Sequence, residues 1–494
     1  DYSCVRSVQQ FQAEGYSVAM VNSNPETVST DYDTSDELYF EPLTEESVLE
    51  ILKHTQPKGF VAQLGGQSPI TLAPVLVEEG FEIIGSSLST IDLAEDRGLF
   101  TGICKDLDFR IPKSSMATSF EEAKMAAEEI GYPIICRPSY VLGGRRMEIV
   151  GGESELHSYF VRHNSYITKQ NPCLMDQFLE RALEVDVDLV RGKDWHVVGG
   201  VIEHIEKAGV HSGDSMGVIP PQRLSLETSK KIEELSVKLA DKLNILGFLN
   251  LQLAVKNDEI YMIEANPRSS RSVPFIAKST GVPLVNLGVK AMLSCDMGAE
   301  EVTQYKWRKM PQVCVKGVVF PFKKFAEADS ILGPEMKSTG ESMGRGADYS
   351  EALVKAYISS HYTIPHSGEV FLSLRDKDKD DLLNSARELV GMGFVLSATT
   401  GTASFLTENG IDCTQINKVQ EGRPHCVDRI RSGQVALVIN TSSGQESIEA
   451  SFSIRRSCID YSIPCLTESD AAQAFIMAMN RHLRKEYRVS HLQR

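Results

Sequence analysis

The chain has 494 residues, room for roughly three or four domains, and a formal charge of −16 from 51 basic and 67 acidic residues. Such an acidic chain lacks the broad basic surface that general nucleic-acid or acidic-membrane binding needs, although local basic pockets for phosphate remain open. No run approaches the roughly 20 apolar residues of a membrane span, and ten cysteines are scattered without a CxxC pair, a usage that points to reduced thiols in a cytoplasmic protein.

Asp1-Tyr2-Ser3-Cys4-Val5 runs straight into a helix-like stretch at 4–15, with no initiator Met and no leading strand, so the chain is expected to begin inside a domain. A buried strand at Ser17–Asn22 leads to the polar, turn-rich Asn24–Asp33. A helix at Glu45–His54, a strand at Gly59–Gln63, a helix near Pro69–Glu79 and a short strand at Phe81–Ile84 follow. Strands alternating with helices predict a parallel, doubly wound unit. Ligand loops in such units lie at strand carboxyl ends, where both Asn22–Asp33 and Gly65–Ser68 fall. Either loop also reads as a plain tight turn.

A helix containing Leu93–Leu107 precedes a new segment that starts at Ile111-Pro112-Lys113. A helix at Ser119–Ile130 leads to a hydrophobic strand ending at Arg137-Pro138. Tyr140-Val141-Leu142-Gly143-Gly144-Arg145-Arg146 then sets glycines beside arginines, a loop whose backbone N–H groups can approach phosphates or a simple hairpin turn. A strand at Cys173–Leu179 runs into Glu180–Val187, with a ligand slot at Gln177–Glu184. His196–Val201 leads into Glu203–Ser215, dense in small and polar residues. His211 within Gly-Val-His-Ser-Gly-Asp-Ser is placed to hydrogen-bond an anionic intermediate, or is structural. An amphipathic helix at 225–246 delivers the chain to Asn250–Arg271.

Two alternating runs there, Asn250–Lys256 and Ile260–Asn266, flank Asn257-Asp258-Glu259 and predict a β-hairpin. With the turn centred on Asp258, Lys256 faces Ile260 and Gln252 faces Glu264. Side chains alternate with period two, so Gln252, Glu264 and Asn266 share one face, and Leu251, Leu253, Val255, Tyr261, Ile263 and Ala265 form the core face. Oxygen ligands on one face suit Mg²⁺, and Arg268 and Arg271 just beyond suit phosphate. The stretch predicts a Mg-nucleotide phosphoryl-transfer site. A register slip of one residue would exchange the two faces.

Helices are expected at Pro274–Ser279 and Leu284–Met297, a strand at Val313–Phe320 and a turn region at Gly340–Asp348. Residues 300–365 are read as completing the nucleotide-binding unit. The last third alternates strands (Glu369–Leu374, Phe394–Ala398, Asp412–Ile416, Gln434–Ile439) with helices (Asp378–Gly391 and one from Asp470), a second doubly wound domain. Its Thr399–Thr402 and Asn440–Gly444 loops meet helix N-termini at strand ends. With Lys418 they outline a phosphorylated-ligand pocket, although Ser and Thr there are also ordinary N-caps.

Asn22–Asp33, Arg137–Arg145, Glu203–Ser215 and Glu264-Ala265-Asn266-Pro267-Arg268, in this order, resemble the C-terminal half of the carbamoyl-phosphate synthetase large chain across essentially all 494 residues. The resemblance implies a pre-ATP-grasp doubly wound domain at 1–104 without its first strand and Gly-rich loop, an ATP-grasp α+β fold at 105–295, a completion of the synthetase unit at 296–358 and a methylglyoxal-synthase-like allosteric domain at 359–494. It implies ATP-dependent phosphorylation of carbamate, the second half-reaction of glutamine-dependent carbamoyl-phosphate synthesis feeding pyrimidine and arginine biosynthesis. Gln252, Glu264 and Asn266 would hold Mg²⁺ or Mn²⁺, Arg137 and Gly143–Gly144 the ATP phosphates, and Gln177, Leu179 and Glu184 the adenosine. Gly209, Val210, His211 and Ser212 would line the nucleotide and carbamate side. Arg268 and Arg271 would steady the transferred phosphoryl group, and His204, Glu206 and Ser215 would add a K⁺ site. Lys379, Thr399, Thr402, Lys418, Asn440 and Thr441 would bind a nucleotide monophosphate of the microbial type. Ser442 stands where Thr is common, and Gln177 where His is common. Implied partners are the N-terminal half of the large chain and a glutaminase small chain, in an oligomer. The competing readings are another ATP-grasp carboxylate–amine ligase and a truncated fragment that keeps only regulatory nucleotide binding.

Overall fold

The computed structural model describes residues 1–107, 109–139, 146–442, 444–484, 487–489 and 491–492. The first unit contains α1 (Tyr2–Ala13), β1 (Ala19–Val21), β2 (Glu37–Tyr39), α2 (Glu45–Thr55), α3 (Ser68–Glu78) and α4 (Leu88–Glu95). β1 and β2 pair in parallel, as a doubly wound unit requires. The expected strands Gly59–Gln63 and Phe81–Ile84 are reduced to a single bridge, Phe60 to Ile83. The helix expected across Leu93–Leu107 is two helices. Asp96 breaks it and caps α5 (Arg97–Asp106) by accepting from the Leu99 N–H at 2.8 Å.

A four-stranded antiparallel sheet follows, in the order β3-β6-β4-β5. It is built from β3 (Ser114–Ala117), β4 (Ile134–Pro138), β5 (Glu148–Val150) and β6 (Cys173–Gln177), with α6 (Phe120–Ile130) and α7 (Glu153–His163).

The central sheet has seven strands: β7 (Leu183–Arg191), β8 (His196–Lys207), β9 (Gly217–Ile219), β10 (Gly247–Lys256), β11 (Glu259–Asn266), β12 (Val313–Val319) and β13 (Gly340–Gly346). Their order is β11-β10-β7-β8-β9-β12-β13, antiparallel throughout. α8 (Leu226–Lys242), α9 (Val273–Thr280), α10 (Leu284–Met292), α11 (Ala299–Thr303) and α12 (Tyr349–Ser359) accompany it. The Gly340–Asp348 stretch, expected as a turn, is mostly strand β13. Its glycines serve close packing: a Cβ on Gly344 would collide with the α12 backbone at Ala352 and Ala356.

The last domain is a parallel sheet, β16-β15-β14-β17-β18. It contains β14 (Glu369–Ser373), α13 (Asp376–Gly391), β15 (Val395–Ala398), α14 (Thr400–Glu408), β16 (Thr414–Gln415), α15 (Cys426–Arg431), β17 (Val435–Asn440), α16 (Gln445–Tyr461), β18 (Cys465–Leu466) and α17 (Ser469–Leu483). This order reverses between β14 and β17, the place where doubly wound sheets open a ligand crevice.

The core does not break at residue 358. One cluster joins Val218, Val315, Leu353 and Tyr357 to Val370, Leu396, Leu406 and Phe475. Polar ties cross the same seam. Lys207 Nζ donates to Ser469 Oγ at 2.6 Å, and Arg223 reaches Asp470 at 2.8 Å. Deepest is Arg455 on α16, with no exposed surface. It holds both carboxylate oxygens of Asp329 at 2.6 Å, Asn440 Oδ1 at 3.1 Å, Ser451 Oγ at 2.6 Å and the Ile448 carbonyl at 2.7 Å. Removing one member of a buried pair strands the other charge. Asp329→Ala is therefore expected to destabilise the chain by about 3 kcal/mol, read as a shifted denaturant midpoint with an unchanged slope.

Candidate active site

The site is built on the hairpin of β10 and β11. Its turn has two residues, not three: Asn257 (φ 53°) and Asp258 (φ 61°) both lie in the left-handed region, and Lys256 pairs with Glu259. That shifts the ladder by one residue relative to the expected register. A β-bulge then absorbs Ile263, because Gln252 pairs with Glu264 while Leu253 pairs with Met262. The near-turn core face is accordingly Ile260 and Met262, with Ile263 45% exposed, so Tyr261 and Ile263 were assigned to the wrong face. Past the bulge the expected pairing holds. Gln252 faces Glu264, and Asn250 faces Asn266.

β7 extends this row. Asp186 lies opposite Gln252, and Asp188 opposite Asn250. The result is two parallel lines of polar side chains, Asp186–Gln252–Glu264 and Asp188–Asn250–Asn266. Gln252 Nε2 donates to Ser212 Oγ at 3.3 Å, a contact that does not use its Oε1. Asn266 Nδ2 donates to Asn250 Oδ1 at 3.5 Å. Side-chain oxygens beside a carboxylate form a hard donor set that fits Mg²⁺.

The groups under this platform are buried and compensated. Burial would raise the Asp186 pKa, but His204, its Nε2 at 3.0 Å, together with Lys316 and His211 holds Asp186 below its ordinary value. Burial also opposes the charge on His204, yet Asp186 and Glu184, the latter at 3.4 Å from Nδ1, push its pKa up to about 9. The imidazole is thus an ion-pair partner for carboxylates, and it is a poor cation ligand through its ring. Burial pushes Asp188 up to about 6 against hydrogen bonds from Ser270, Ser272 and Asn250. It pushes Glu206 up to about 7 against backbone N–H groups that include Met216. Ser215 Oγ is buried near this group without a hydrogen-bond partner.

His211 lies on the loop between β8 and β9. Its backbone N–H donates to the Gly333 carbonyl at 2.8 Å, and its Nδ1 accepts from the Gly213 N–H at 3.0 Å. Burial lowers its pKa, with Arg271 and Lys316 adding to the shift and Asp214 opposing it. The ring is therefore neutral and carries its proton on Nε2. Sequence reasoning missed the segment 329–338 that covers this loop. Asp214 accepts from the Lys337 and Ser338 N–H groups, each at 2.8 Å, and Arg271 contacts Met336. It also missed Lys316, which is 4% exposed and donates to the Ser212 carbonyl at 2.8 Å. No local motif marks either.

The first unit positions the arginine turn. The Gln63 side chain, fully buried, donates from Nε2 to the Pro267 carbonyl at 2.8 Å, and the Gln63 backbone carbonyl accepts from the Ser269 N–H at 2.9 Å. Gln67 Oε1 accepts from Arg268 Nε at 3.1 Å. The Gly65–Ser68 loop thus holds Arg268 in place. On the other side, Leu179 packs with Ala182 and Ala254 in a small apolar cluster. Glu184 Oε1 accepts from the Gly209 N–H at 3.0 Å, next to Val210. The Gln177 N–H donates to the Lys113 carbonyl at 2.8 Å. Arg137 lies on β4 opposite Leu174. Gly143 and Gly144 fall outside the described residues.

In the terminal domain the expected pocket residues gather at strand ends. Thr441 Oγ1 accepts from the Arg375 N–H at 3.0 Å, and Thr402 Oγ1 from the Leu374 N–H at 3.1 Å. Thr399 lies beside Thr402 at 3.4 Å between hydroxyls. Lys379 Nζ donates to the Gly401 carbonyl at 3.0 Å, and Lys418 stands exposed where a short turn begins. Asn440, 1% exposed, gives its Oδ1 to Arg455.

Comparison with known proteins identifies the domains. Residues 1–93 match the family described as the carbamoyl phosphate synthase preATP-grasp domain, 96–298 the carbamoyl-phosphate synthase L chain ATP binding domain, and 381–467 the MGS-like domain. The C-terminal section of the carbamoyl phosphate synthase large chain of Aquifex aeolicus is 44% identical, over 97% of this chain and 92% of its own length. The large chain of Xanthomonas campestris is 46% identical over 97% of this chain and 45% of its own length, so the chain spans about half of that relative. Among solved structures, the biotin carboxylase domain of Hydrogenobacter thermophilus 2-oxoglutarate carboxylase, bound to MgADP and bicarbonate, shares the fold. Its TM-score is 0.58 at 17% identity, over 72% of this chain and 86% of that one. The chain belongs to the carbamoyl phosphate synthase large-chain family, matches that family's C-terminal section, and combines pre-ATP-grasp, ATP-grasp and MGS-like domains.

Proposed function

We propose that the chain transfers the γ-phosphoryl group of ATP to carbamate. A carbamate oxygen attacks the γ-phosphorus, the bond to the β,γ-bridging oxygen breaks, and carbamoyl phosphate and ADP leave. The observation that carries the reading is the row Gln252–Glu264 beside Asn250–Asn266, with Arg268 and Arg271 at its end. Magnesium or manganese held by Gln252, Glu264 and Asn266 would neutralise phosphate charge. Arg137 and the Gly143–Gly144 loop hold the ATP phosphates. Gln177, Leu179, Glu184, Gly209 and Val210 hold the adenosine. Arg268 and Arg271 compensate the charge on the phosphoryl oxygens in flight. Neutral His211 donates its Nε2 proton in a hydrogen bond to an oxygen of the phosphoryl group or of carbamate, with Ser212 beside it.

Glu206, with the unpartnered Ser215 Oγ, accommodates K⁺; His204 contributes by pairing with Asp186. The crevice at Lys379, Thr399, Thr402, Lys418, Asn440 and Thr441 takes a nucleotide monophosphate. In its full setting this half works with an N-terminal half and a glutaminase small chain, in an oligomer. All ten cysteines are free, which supports a reducing, cytoplasmic setting. Among the described residues no helix is long and apolar enough to cross a membrane.

Glu264→Ala is expected to lower ATP formation from ADP and carbamoyl phosphate by about 100-fold or more, while monophosphate binding to the terminal domain, followed by calorimetry, stays intact. Near-normal turnover would refute the metal assignment. His211→Leu is expected to cost about 100-fold in kcat with a much smaller change in the KM for ADP. Because burial depresses the His211 pKa, the acid limb attributable to His211 in the wild-type profile should lie below the ordinary imidazole value of about 6.5, and the variant should lack it.

A further inference from the structure

Four side chains at the edge of the platform form a hydrogen-bond chain that runs in one direction. An Arg268 guanidinium nitrogen donates to Asn266 Oδ1 at 3.5 Å. Asn266 Nδ2 donates to Asn250 Oδ1 at 3.5 Å, and Asn250 Nδ2 donates to Asp188 Oδ1 at 3.2 Å. Ser272 Oγ closes the chain on Asp188 Oδ2 at 2.7 Å. Asp188, Asn250 and Asn266 are 2%, 3% and 8% exposed, so bulk water does not substitute for these partners. The register sets the three side by side across β7, β10 and β11.

The two ends have fixed polarity. A guanidinium only donates, and an ionised carboxylate only accepts. The two amides between them are nearly symmetric in shape and can be flipped end for end at almost no steric cost. Only one orientation of each satisfies both ends. A flipped Asn250 would set its oxygen against the Asp188 carboxylate and its nitrogen against Asn266 Nδ2. A flipped Asn266 would set its nitrogen against Arg268. The orientation observed turns Asn266 Oδ1 away from Asn250, and an amide oxygen ligates a hard cation where an amide nitrogen does not.

We propose that Asp188 is a positioning residue for the metal platform: through Asn250 it dictates which end of the Asn266 amide is presented to the cation. Neither Asp188 nor Asn250 needs to touch the ion or the reacting atoms. The inference rests on the metal reading above and adds what enforces it. It also separates Asp188 from a merely space-filling acid, because an Asn at 188 keeps the volume but can turn either end of its amide to Asn250, which leaves the direction to the 3.5 Å contact between Arg268 and Asn266 alone.

The test is Mn²⁺ binding to the full chain in the presence of ADP, with free Mn²⁺ counted by electron paramagnetic resonance on the alkaline side of neutrality, where Asp188 is ionised. Asp188→Asn is expected to weaken Mn²⁺ by about 10- to 100-fold and to leave metal-free ADP binding and the far-ultraviolet circular dichroism unchanged. The exchange Asp188→Asn with Asn250→Asp is expected to recover the affinity, since a carboxylate at 250 again accepts from Asn266 Nδ2 and turns Oδ1 outward. Mn²⁺ bound by Asp188→Asn as tightly as by wild type would overturn the proposal. So would an exchange variant as weak as the single one; if the single variant does not fold, the exchange variant decides alone. Wild-type protein that takes up no Mn²⁺ with ADP would overturn the metal reading itself, and this proposal with it.

Discussion

Charges kept out of water govern this structure. Asp186, Asp188, Glu203, His204, Glu206 and Lys316 are each 6% exposed or less, and all lie on the central sheet. An isolated ion so buried costs several kcal/mol, so each must be answered locally. His204 answers Asp186 and Glu184. Glu203 accepts three consecutive backbone N–H groups, from Gln222, Arg223 and Leu224, together with the Arg223 side chain. Lys316 caps the Ser212 carbonyl. Solving these local problems fixes the loops, and the fixed loops leave a floor whose dipoles are already oriented when a polyanion arrives. Such preorganisation spares the reorganisation that water would require in a phosphoryl transfer.

Much of this was legible in the sequence, and the gaps have physical causes. The pairing of Gln252 with Glu264 was reached from a turn placed one residue off, because a bulge at Ile263 restored the phase. A bulge leaves no mark in an alternating pattern, so the core face near the turn was misread at Tyr261 and Ile263. Asp186 and Asp188 alternate with Val185, Val187 and Leu189, a pattern equally compatible with the solvent face of a strand. Only the placement of β10 beside β7, with β8, β9 and α8 between them in sequence, turns that side into the site. Lys316 and the segment 329–338 arrive from farther still. The glycines of β13 were read as turn formers because composition does not distinguish a bend from a helix pressed against a strand.

The first unit shows the same lesson from the other side. Asn22–Asp33 and Gly65–Ser68 sit at strand ends, where a ligand loop or a turn was expected. Gln63 and Gln67 give the second of these a third role. They hold the turn that carries Arg268, some 200 residues further along the chain. The loop bears on the candidate site through the residue it positions.

Arg455 gives the terminal domain an unexpected boundary. Its strongest partner, Asp329, belongs to the segment that also covers the His211 loop through Lys337 and Ser338. The folded module therefore does not begin where its parallel sheet begins. A chimera joined at β14 would take the Arg455 guanidinium from one parent and the Asp329 carboxylate from the other. The segment around residues 329–338 therefore belongs structurally to the terminal domain as much as to the central sheet.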